Sequence, residues 1–440
     1  MDVAEMTNRA DLTAIQAWLD ASTNLEVAVE LARLEPAQMV VPIRLLDRDR
    51  TLAVFEALDP HHQRQVLEGL RDESFHDLLE QMDPDDRVRL IGEMPAKVAR
   101  RALLGLSPQE RAMTAALLGY PEESAGRLMS PEYVNLRASM TVDEAMKKVR
   151  RQGRAAETIY LLPVTDDERH VEGVISLRKL VLAGAEERIS ELMSTEVMRV
   201  GVTEDQEVAA RLIQDADLIA LPVVDSEERL VGMVTVDDAM EVLEAEETED
   251  AALQAATTPL GRPYLSASVL GIARTRALWL VVLIVAAGLT VNVLQYFEDT
   301  LAAVVSLAVF IPLLIGTGGN SGAQAATAVI RAMAVGEVGF RDLPRVVWRE
   351  ARVGVLLGAM LSVAVFAPVA FFFDAELATV VSVTLLVVCS WATFVGSILP
   401  LVARRVGVDP AVVSAPLVST LVDATGLVIY LLVARMVLGI

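Results

Sequence analysis

Residues 407–430, GVDPAVVSAPLVSTLVDATGLVIY, contain Asp409 near their start and a second carboxylate, Asp423, in the middle of the apolar run that follows. A helix over residues 411–434 is long enough to cross a hydrocarbon core of about 30 Å. If that helix begins near Asp409 and Pro410, Asp423 lies about 14 residues inside it, which is roughly 21 Å at 1.5 Å per residue. A carboxylate at that depth is costly and marks a functional site by default. The alternative is a protonated or hydrogen-bonded aspartate with a structural role.

Four further apolar stretches precede this one, and the charges between them predict their orientation. The five stretches cover residues 277–297, 301–330, 353–373, 377–403 and 411–434. Arginines lie before the first stretch, between the second and third, and between the fourth and fifth, whereas the other two loops carry only acidic residues. Because basic loops stay on the cytoplasmic side, we expect a multi-pass cell (inner or plasma) membrane protein. Its N-terminus is then cytoplasmic and its C-terminus extracytoplasmic, with Arg435 as the one basic residue outside.

The second stretch has a polar, glycine-rich centre, IGTGGNSGAQ, over residues 315–324. Gly318 and Gly322 are spaced as G-x-x-x-G, which lets helices approach closely. Asn320 and Gln324 add amides, and a buried amide needs hydrogen-bond partners. The stretch therefore predicts either tight helix packing or polar groups that line a pathway.

The charge of the chain divides it into two different parts. The 440 residues have a formal net charge of −22. After residue 260, eleven arginines accompany nine acidic residues, so this part carries +2 and the first 260 residues carry −24. Such acidity argues against a nucleic-acid partner. The single cysteine excludes an internal disulfide, and neither zinc-site spacing nor a nucleophile–base set indicates an enzyme.

A repeat of 24 residues runs through the front of the acidic part. It is marked by Pro36, Pro60, Pro84 and Pro108, each of which can occupy the first position of a helix. Asp59, Asp83 and Ser107 precede three of these prolines and suit helix N-caps. We expect residues 1–127 to form an α-superhelical domain. It is either a sensing and docking domain or a plain spacer.

A duplication follows over residues 128–240, with copies at 128–185 and 192–246. LMSPEYVNLRASMTVDEAMKKVR (128–150) matches LMSTEVMRVGVTEDQEVAARLIQ (192–214), and period-2 apolar runs separated by Asp-rich turns indicate strands. Each copy reads as strand, helix, strand, turn, strand, helix. The copies resemble two CBS modules, which pair into a Bateman unit of α/β fold. Residues 241–265 are rich in alanine, glutamate and leucine and predict an acidic connecting helix.

CBS modules often bind adenosine nucleotides through a Ser/Thr-x-x-Asp motif near their last helix. Thr235 and Asp238 stand in that frame in the second copy, whereas the first copy has Ser176 and Lys179. The resemblance therefore implies ATP as a candidate ligand of Thr235 and Asp238. The alternative is a CBS pair that only dimerises and transmits a conformational signal.

The whole chain resembles the MgtE family of magnesium channels or transporters, most specifically in IPLLIGTGGNSGAQ (311–324) and in residues 407–430. The resemblance implies a multidomain membrane protein, with an all-α transmembrane domain of five helices at 270–440. It also implies a homodimer with a pore that takes Mg²⁺ at Asp423, at the backbone carbonyl of Ser419 and near Asn320. Such a pore is closed by cytoplasmic Mg²⁺ bound at acidic residues of the other elements. By position these regulatory residues are Asp85, Asp205, Glu207, Asp217, Asp238, Glu246, Glu249, Asp250 and Asp409.

Some positions depart from the family pattern. Arg89 and Ala53 stand where an acidic residue is expected, which puts one regulatory ion site in doubt. Ala323 replaces an amide and Ala415 replaces an asparagine near the pore residues. The alternatives to a Mg²⁺ channel are a secondary transporter for Mn²⁺ or Co²⁺ and a nucleotide-sensing regulator with a membrane anchor. A coupled transporter usually needs more membrane-embedded ionisable groups than Asp423 alone.

Overall fold

The computed structural model of the protein describes residues 3–9, 11–70, 72–260 and 267–440. These fall into two compact units, Met1–Glu246 and Glu247–Ile440, and each is described by itself. The last part of the predicted connecting helix, residues 261–265, lies outside the described residues.

The first unit begins with a stack of ten short helices. They are α1 Val3–Asn8, α2 Leu12–Ala21, α3 Asn24–Leu31, α4 Pro36–Leu45, α5 Arg48–Glu56, α6 Pro60–Gly69, α7 Asp72–Gln81, α8 Pro84–Gly92, α9 Ala96–Gly105 and α10 Pro108–Leu118. All four repeat prolines start a helix, because the first position of a helix needs no N–H donor. Asp59 accepts backbone N–H bonds from His61 and His62, as its N-cap position predicts. Asp83 occupies the N-cap of α8 without accepting such a bond.

The rest of the first unit contains the two CBS copies. Their elements are α11 Ala125–Leu128, α12 Val142–Gln152, β1 Leu161–Thr165, β2 Val171–Ser176, α13 Leu177–Leu182, α14 Ile189–Leu192, β3 Val200–Gly201, α15 Gln206–Asp215, β4 Ala220–Val224, β5 Leu230–Thr235 and α16 Val236–Gln254. The antiparallel pairs β1–β2 and β4–β5 follow the predicted pattern, and the short β3 pairs parallel with β4. The strand predicted before α12 is not formed as a continuous strand. Only isolated bridges are present there, at Tyr133 and Leu136.

Helix α16 differs from the predicted connecting helix at its end. It begins at Val236, as an extension of the second CBS copy, and it ends at Gln254 rather than near Pro259. Ala256 lies in the left-handed region with φ +52°, which stops the helix five residues earlier than the composition indicated. The division into two units falls within this helix, after Glu246.

The second unit is helical. Its helices are α17 Val269–Tyr296, α18 Glu298–Ala303, α19 Leu307–Ala334, α20 Leu343–Phe372, α21 Ala375–Arg405 and α22 Ala415–Leu438. Four candidate membrane spans are found in the described residues by length and hydropathy: Val269–Tyr296, Phe340–Phe372, Ala375–Arg405 and Ala415–Leu438. Helix α19 has 28 residues, but its polar centre makes it less apolar than these four. The second of the five predicted spans therefore corresponds to a long helix, α19, and its membrane crossing stays a prediction.

The start of the last helix corrects the expected depth of Asp423. Pro410–Val412 forms a separate 3₁₀ turn, and α22 begins at Ala415, where the hydroxyl of Ser414 accepts a bond from Leu417 N–H at 3.4 Å. Asp423 is thus eight positions after the start of α22, or roughly 12 Å along it. The turn arises because Asp409 caps it by accepting from Ala411 N–H at 2.8 Å.

Glycines bring α19 against α21 and α22, as their spacing predicted. A Cβ on Gly318 would contact Val388 of α21 and Val422 of α22, and a Cβ on Gly322 would meet Val418 and Val422. From the other side, Gly396 of α21 faces the backbone carbonyl of Gly322 so closely that a methyl group would collide with it. This backbone approach holds the polar centre of α19 against α21 and α22.

Candidate ion-binding sites

Asp423 lies on α22 where that helix faces the glycine-rich centre of α19. Its Oδ1 atom is buried and has no hydrogen-bond partner among the described residues. A Cβ built on Gly319 would lie 2.9 Å from this oxygen and would collide with the hydroxyl of Ser419. The missing side chain of Gly319 therefore lets Asp423 and Ser419 pack directly against the backbone of α19. A carboxylate oxygen without a protein partner is a suitable ligand for a cation or one of its waters.

Ser419 is one turn before Asp423 on the same face of α22, as the i, i+4 spacing requires. Both side chains point towards α19, since both are neighbours of Gly319. The structure therefore brings two of the three predicted pore residues together. Gly319 itself was not singled out from the sequence, although it lies between the two glycines that were.

The third predicted pore residue has a different environment from the one expected. Asn320 and Gln324 are both exposed on the single chain, so the argument that they are buried amides is wrong. Successive residues of a helix point about 100° apart, and Gly319 takes the direction that faces α22. Asn320 therefore points away from Asp423 within one chain, and its place at a pore stays a prediction.

A second acidic site lies in the first unit, where the helical domain meets the CBS copies. Asp85 of α8 and Asp238 of α16 line one cavity of about 280 Å³, together with Asp86 and Arg89. Asp85 is only 6% exposed, and its Oδ1 has no hydrogen-bond partner in the described part of the chain. The structure thus brings Asp85 and Asp238 together as the resemblance implied.

The environment of these carboxyl groups favours their neutral forms when no cation is present. Burial, followed by the charges of Asp238 and Glu157, raises the pKa of Asp85 well above its usual value. Burial raises the pKa of Asp238 to about 7, with Asp237 and Asp86 adding to the effect and the Thr235 hydroxyl opposing it. A bound divalent cation would reverse this preference, because it stabilises the charged carboxylates.

Arg89 supplies a fixed positive charge beside this site. Its guanidinium pairs with Asp86 at 2.6 Å on its own helix and with Glu241 on α16. The pair with Glu241 joins the helical domain to the second CBS copy. The arginine that departs from the family pattern therefore makes a salt bridge across the same boundary where an acidic residue was expected.

The predicted nucleotide pair has an internal contact. The Thr235 hydroxyl donates to Asp238 Oδ2 at 2.7 Å, so each residue already has the other as partner. In the first CBS copy, Ser176 caps α13 by accepting from Lys179 N–H, and the Lys179 ammonium donates to the Leu192 carbonyl at 2.6 Å. Lys179 thus has a structural contact where a nucleotide-binding aspartate was expected.

Four of the remaining predicted regulatory residues, Asp205, Glu207, Asp217 and Glu246, do not line the Asp85 cavity. Asp205 caps α15, Glu207 pairs with Arg211 one turn later, and Asp217 has φ +51° in the turn before β4. Glu246 accepts from the Gln206 amide at 3.4 Å. In the second unit, Glu249 and Asp250 lie on the last turns of α16, and Asp409 caps the 3₁₀ turn before α22. Among the described residues of each unit, these acidic residues do not form one common site.

Two acidic features were missed from the sequence. Glu56, Asp83 and Asp86 place one carboxylate oxygen each within 4.8 Å of one another. Burial, with the charges of Asp83 and Asp86, raises the pKa of Glu56 to about 7. Glu157 of the first CBS copy is the second feature, and burial, followed by the charges of Asp83 and Asp238, raises its pKa to about 8. Both depend on contacts between segments far apart in sequence, which no local motif signals.

Comparison with known proteins finds families that match successive parts of the chain. The MgtE family of divalent cation transporters matches residues 311–433, the MgtE intracellular N domain matches 24–123, and the CBS domain matches 125–186 and 189–245. The magnesium transporter MgtE of Thermus thermophilus is 40% identical over 100% of this chain and 98% of its own length. That of Bacillus subtilis is 35% identical over 80% of this chain and 78% of its own length.

A solved structure resembles the first unit. The crystal structure of the cytosolic domain of the Mg²⁺ channel MgtE in complex with ATP has a TM-score of 0.51 and 36% sequence identity. It covers 55% of this chain and 98% of that one. The likeness extends over the helical domain and the CBS copies together.

Proposed function

Because the chain belongs to the MgtE family of divalent cation transporters, we propose that it carries Mg²⁺ across a cell membrane through a pathway that contains Asp423. The observation that carries this proposal is the Asp423 carboxylate itself. Its Oδ1 is buried without a partner among the described residues, and it lies close to the backbone of Gly319. Mg²⁺ gives up its waters reluctantly and is bound by one or two carboxylates with waters retained. Asp423 and the Ser419 carbonyl supply oxygen ligands of this kind.

The membrane arrangement is part of the proposal. Five crossings place the arginine-rich loops on one side, with the N-terminus cytoplasmic and the C-terminus extracytoplasmic. Helix α17 has no buried residue within its unit, so its apolar side chains require lipid or a second copy around them. We propose a homodimer in which two Asp423 carboxylates share one ion. Two like charges repel when the site is empty and are neutralised by one divalent cation.

Regulation by cytoplasmic Mg²⁺ is supported by the Asp85 cavity. Asp85 and Asp238 come from different domains, and both carboxyl groups favour the neutral form in the absence of a cation. An ion bound there holds the helical domain against the second CBS copy. If the closed pore requires that docked arrangement, Mg²⁺ shifts the population towards closed. The acidic residues Asp205, Glu207, Asp217, Glu246, Glu249, Asp250 and Asp409 are further candidates for such ions.

ATP binding at the second CBS copy is a separate prediction. The relative solved with ATP supports it. Two observations argue against ATP as the ligand of Asp238 and favour Mg²⁺. Asp238 already accepts a hydrogen bond from Thr235, and it lines the same cavity as Asp85. Equilibrium binding of ATP to the purified protein, compared with a Thr235→Val variant, tests the prediction.

Uptake of Mg²⁺ by reconstituted liposomes tests the function. Asp423→Asn removes the charge but keeps the shape, and we expect uptake to fall by about tenfold or more. Glu376→Gln replaces an exposed acidic residue in the first turn of α21; it is the matched control and should leave uptake unchanged. Selective uptake by Asp423→Asn at the normal rate would contradict the assignment. Equal uptake of Mn²⁺ or Co²⁺ by the unmodified protein would favour a broader divalent transporter.

A further inference from the structure

Two side chains in the last third of α22 make polar contacts that the proposed function does not use. The Tyr430 hydroxyl is fully buried and donates to the backbone carbonyl of Leu307, in the first turn of α19, at 2.9 Å. Arg435 is the basic residue that the arginine pattern predicts on the extracytoplasmic side. Its Nε donates to the Thr300 hydroxyl of α18 at 2.8 Å, and its guanidinium lies over the Phe297 ring, 4.7 Å from the ring centre. Both side chains therefore connect the end of α22 to α18 and the start of α19.

These two hydrogen bonds belong to the same helix pairing that places Asp423 against α19. Three contacts follow one another along the two segments: Thr300 with Arg435, Leu307 with Tyr430, and Gly319 with Asp423. Because the residue number rises on one segment as it falls on the other, α22 runs antiparallel to α18 and α19. Tyr430 lies two helical turns after Asp423, so the two side chains share one face of α22. The hydrogen bonds and the Asp423 contact therefore depend on one alignment of α22 with α19.

The position of α22 along α19 determines what lies opposite Asp423. A slip of one residue would move the carboxylate by about 1.5 Å, whereas ion-binding groups must be held within about 0.5 Å of their working positions. It would also remove Asp423 from Gly319, the position at which a Cβ would lie only 2.9 Å from its Oδ1. Apolar contacts between the helices are not directional, but a hydrogen bond has a fixed length and angle. The bonds of Tyr430 and Arg435 therefore define this alignment.

We propose that Tyr430 and Arg435 are positioning residues for ion transport. Their hydrogen bonds fix α22 along α18 and α19, and they thereby fix the Asp423 carboxylate in the pathway. The proposal rests on the proposed function, because it takes Asp423 as an ion ligand. The Tyr430 bond is well suited to this role, since a buried hydroxyl and carbonyl have no water to replace a lost partner. Arg435 lies in the last turn of α22, where the membrane interface can solvate its charge while Thr300 and Phe297 hold its side chain.

The test is the Mg²⁺ concentration dependence of uptake by liposomes that contain the full-length protein. Tyr430→Phe keeps the ring and removes the hydroxyl, and Thr300→Val removes the acceptor of Arg435. Tyr296→Phe is the matched control, because it removes the hydroxyl of a tyrosine that is 76% exposed at the end of α17. We expect the half-saturating Mg²⁺ concentration to rise about threefold in each single variant and about tenfold in the double variant. It should stay unchanged in Tyr296→Phe and in Thr300→Ser, which keeps the hydroxyl.

A purely structural role for these residues would give a different result. It would lower the melting temperature and the maximal rate of uptake, because fewer molecules would be active, but it would leave the half-saturating concentration unchanged. That outcome in Tyr430→Phe or in Thr300→Val would overturn the role of Tyr430 or of Arg435, respectively. Equal shifts in Thr300→Ser and Thr300→Val would also overturn the role of Arg435. Failure of the unmodified protein to carry Mg²⁺, or normal uptake by Asp423→Asn, would count against the proposed function instead.

Discussion

Replacing Gly319 with alanine tests whether the close approach of Asp423 to the backbone of α19 is needed for ion transport. The added methyl group would lie 2.9 Å from Asp423 Oδ1 and would collide with the Ser419 hydroxyl. Both are the ends of side chains, so each can rotate away at a cost of about 0.5–1.5 kcal/mol per off-rotamer angle. The fold should therefore survive with a total loss of about 1–3 kcal/mol. The Asp423 carboxylate, which the proposed pathway uses, would be displaced together with the Ser419 side chain.

The effect on transport should be larger than the effect on stability. Ion-binding groups must be held within about 0.5 Å of their working positions, and a contact of 2.9 Å is some 0.5 Å short of ordinary carbon–oxygen separation. We expect Mg²⁺ uptake by liposomes with Gly319→Ala to fall by about tenfold or more. The melting temperature should fall by only a few degrees.

Gly316→Ala is the matched control for this experiment. Gly316 lies one turn earlier on α19, and a Cβ there meets nothing within 4 Å in the described part of the chain. Both substitutions gain about 1 kcal/mol of helix propensity. The difference in uptake and stability between the two variants therefore reports the contact with Asp423 and Ser419. Uptake by Gly319→Ala equal to that by Gly316→Ala would refute the reasoning.

Three other predictions concern packing, pH and docking. Gly396→Ala collides with the backbone carbonyl of Gly322, which cannot rotate away, so it should lower stability by about 1–3 kcal/mol in thermal unfolding; Gly288→Ala, with open space around it, should not. Glu56 has a folded pKa of about 7 against an ordinary 4.5, so its charged form destabilises the fold as pH rises through that window. Glu56→Gln should therefore gain about 1–2 kcal/mol at pH 8 after allowance for partial exposure, and nothing at pH 4; equal melting of the two proteins at both values would contradict this. Arg89→Gln breaks the pair with Glu241, so limited proteolysis without Mg²⁺ should cut the helical domain faster, whereas unchanged cleavage would argue against a docking role.

The sequence was sufficient where one local rule determines the structure. Prolines spaced by 24 residues located the starts of α4, α6, α8 and α10, because position and chemistry coincide at the first turn of a helix. Asp423 could be identified as a candidate site because a carboxylate in an apolar run is rare. Gly318 and Gly322 were identified as packing residues from their spacing alone.

The sequence did not predict features that depend on tertiary contacts. The start of α22 depends on the Ser414 cap and on the preceding 3₁₀ turn, and apolar content signals neither. The exposure of Asn320 depends on which face of α19 meets α22. Asp85 and Asp238 line one cavity only because α8 packs on the CBS copies, and the two residues are distant in the chain. Such juxtapositions leave no periodic or motif signal in the sequence.

The most direct test of the central claim is single-channel recording from patches that contain the purified full-length protein, with and without Mg²⁺ on the side of the acidic domains. The account predicts Mg²⁺ currents that close as Mg²⁺ on that side reaches the millimolar range and that disappear in Asp423→Asn. Mg²⁺ currents that persist in Asp423→Asn would contradict the account. So would currents that do not change with Mg²⁺ on the side of the acidic domains while Asp85 and Asp238 are intact.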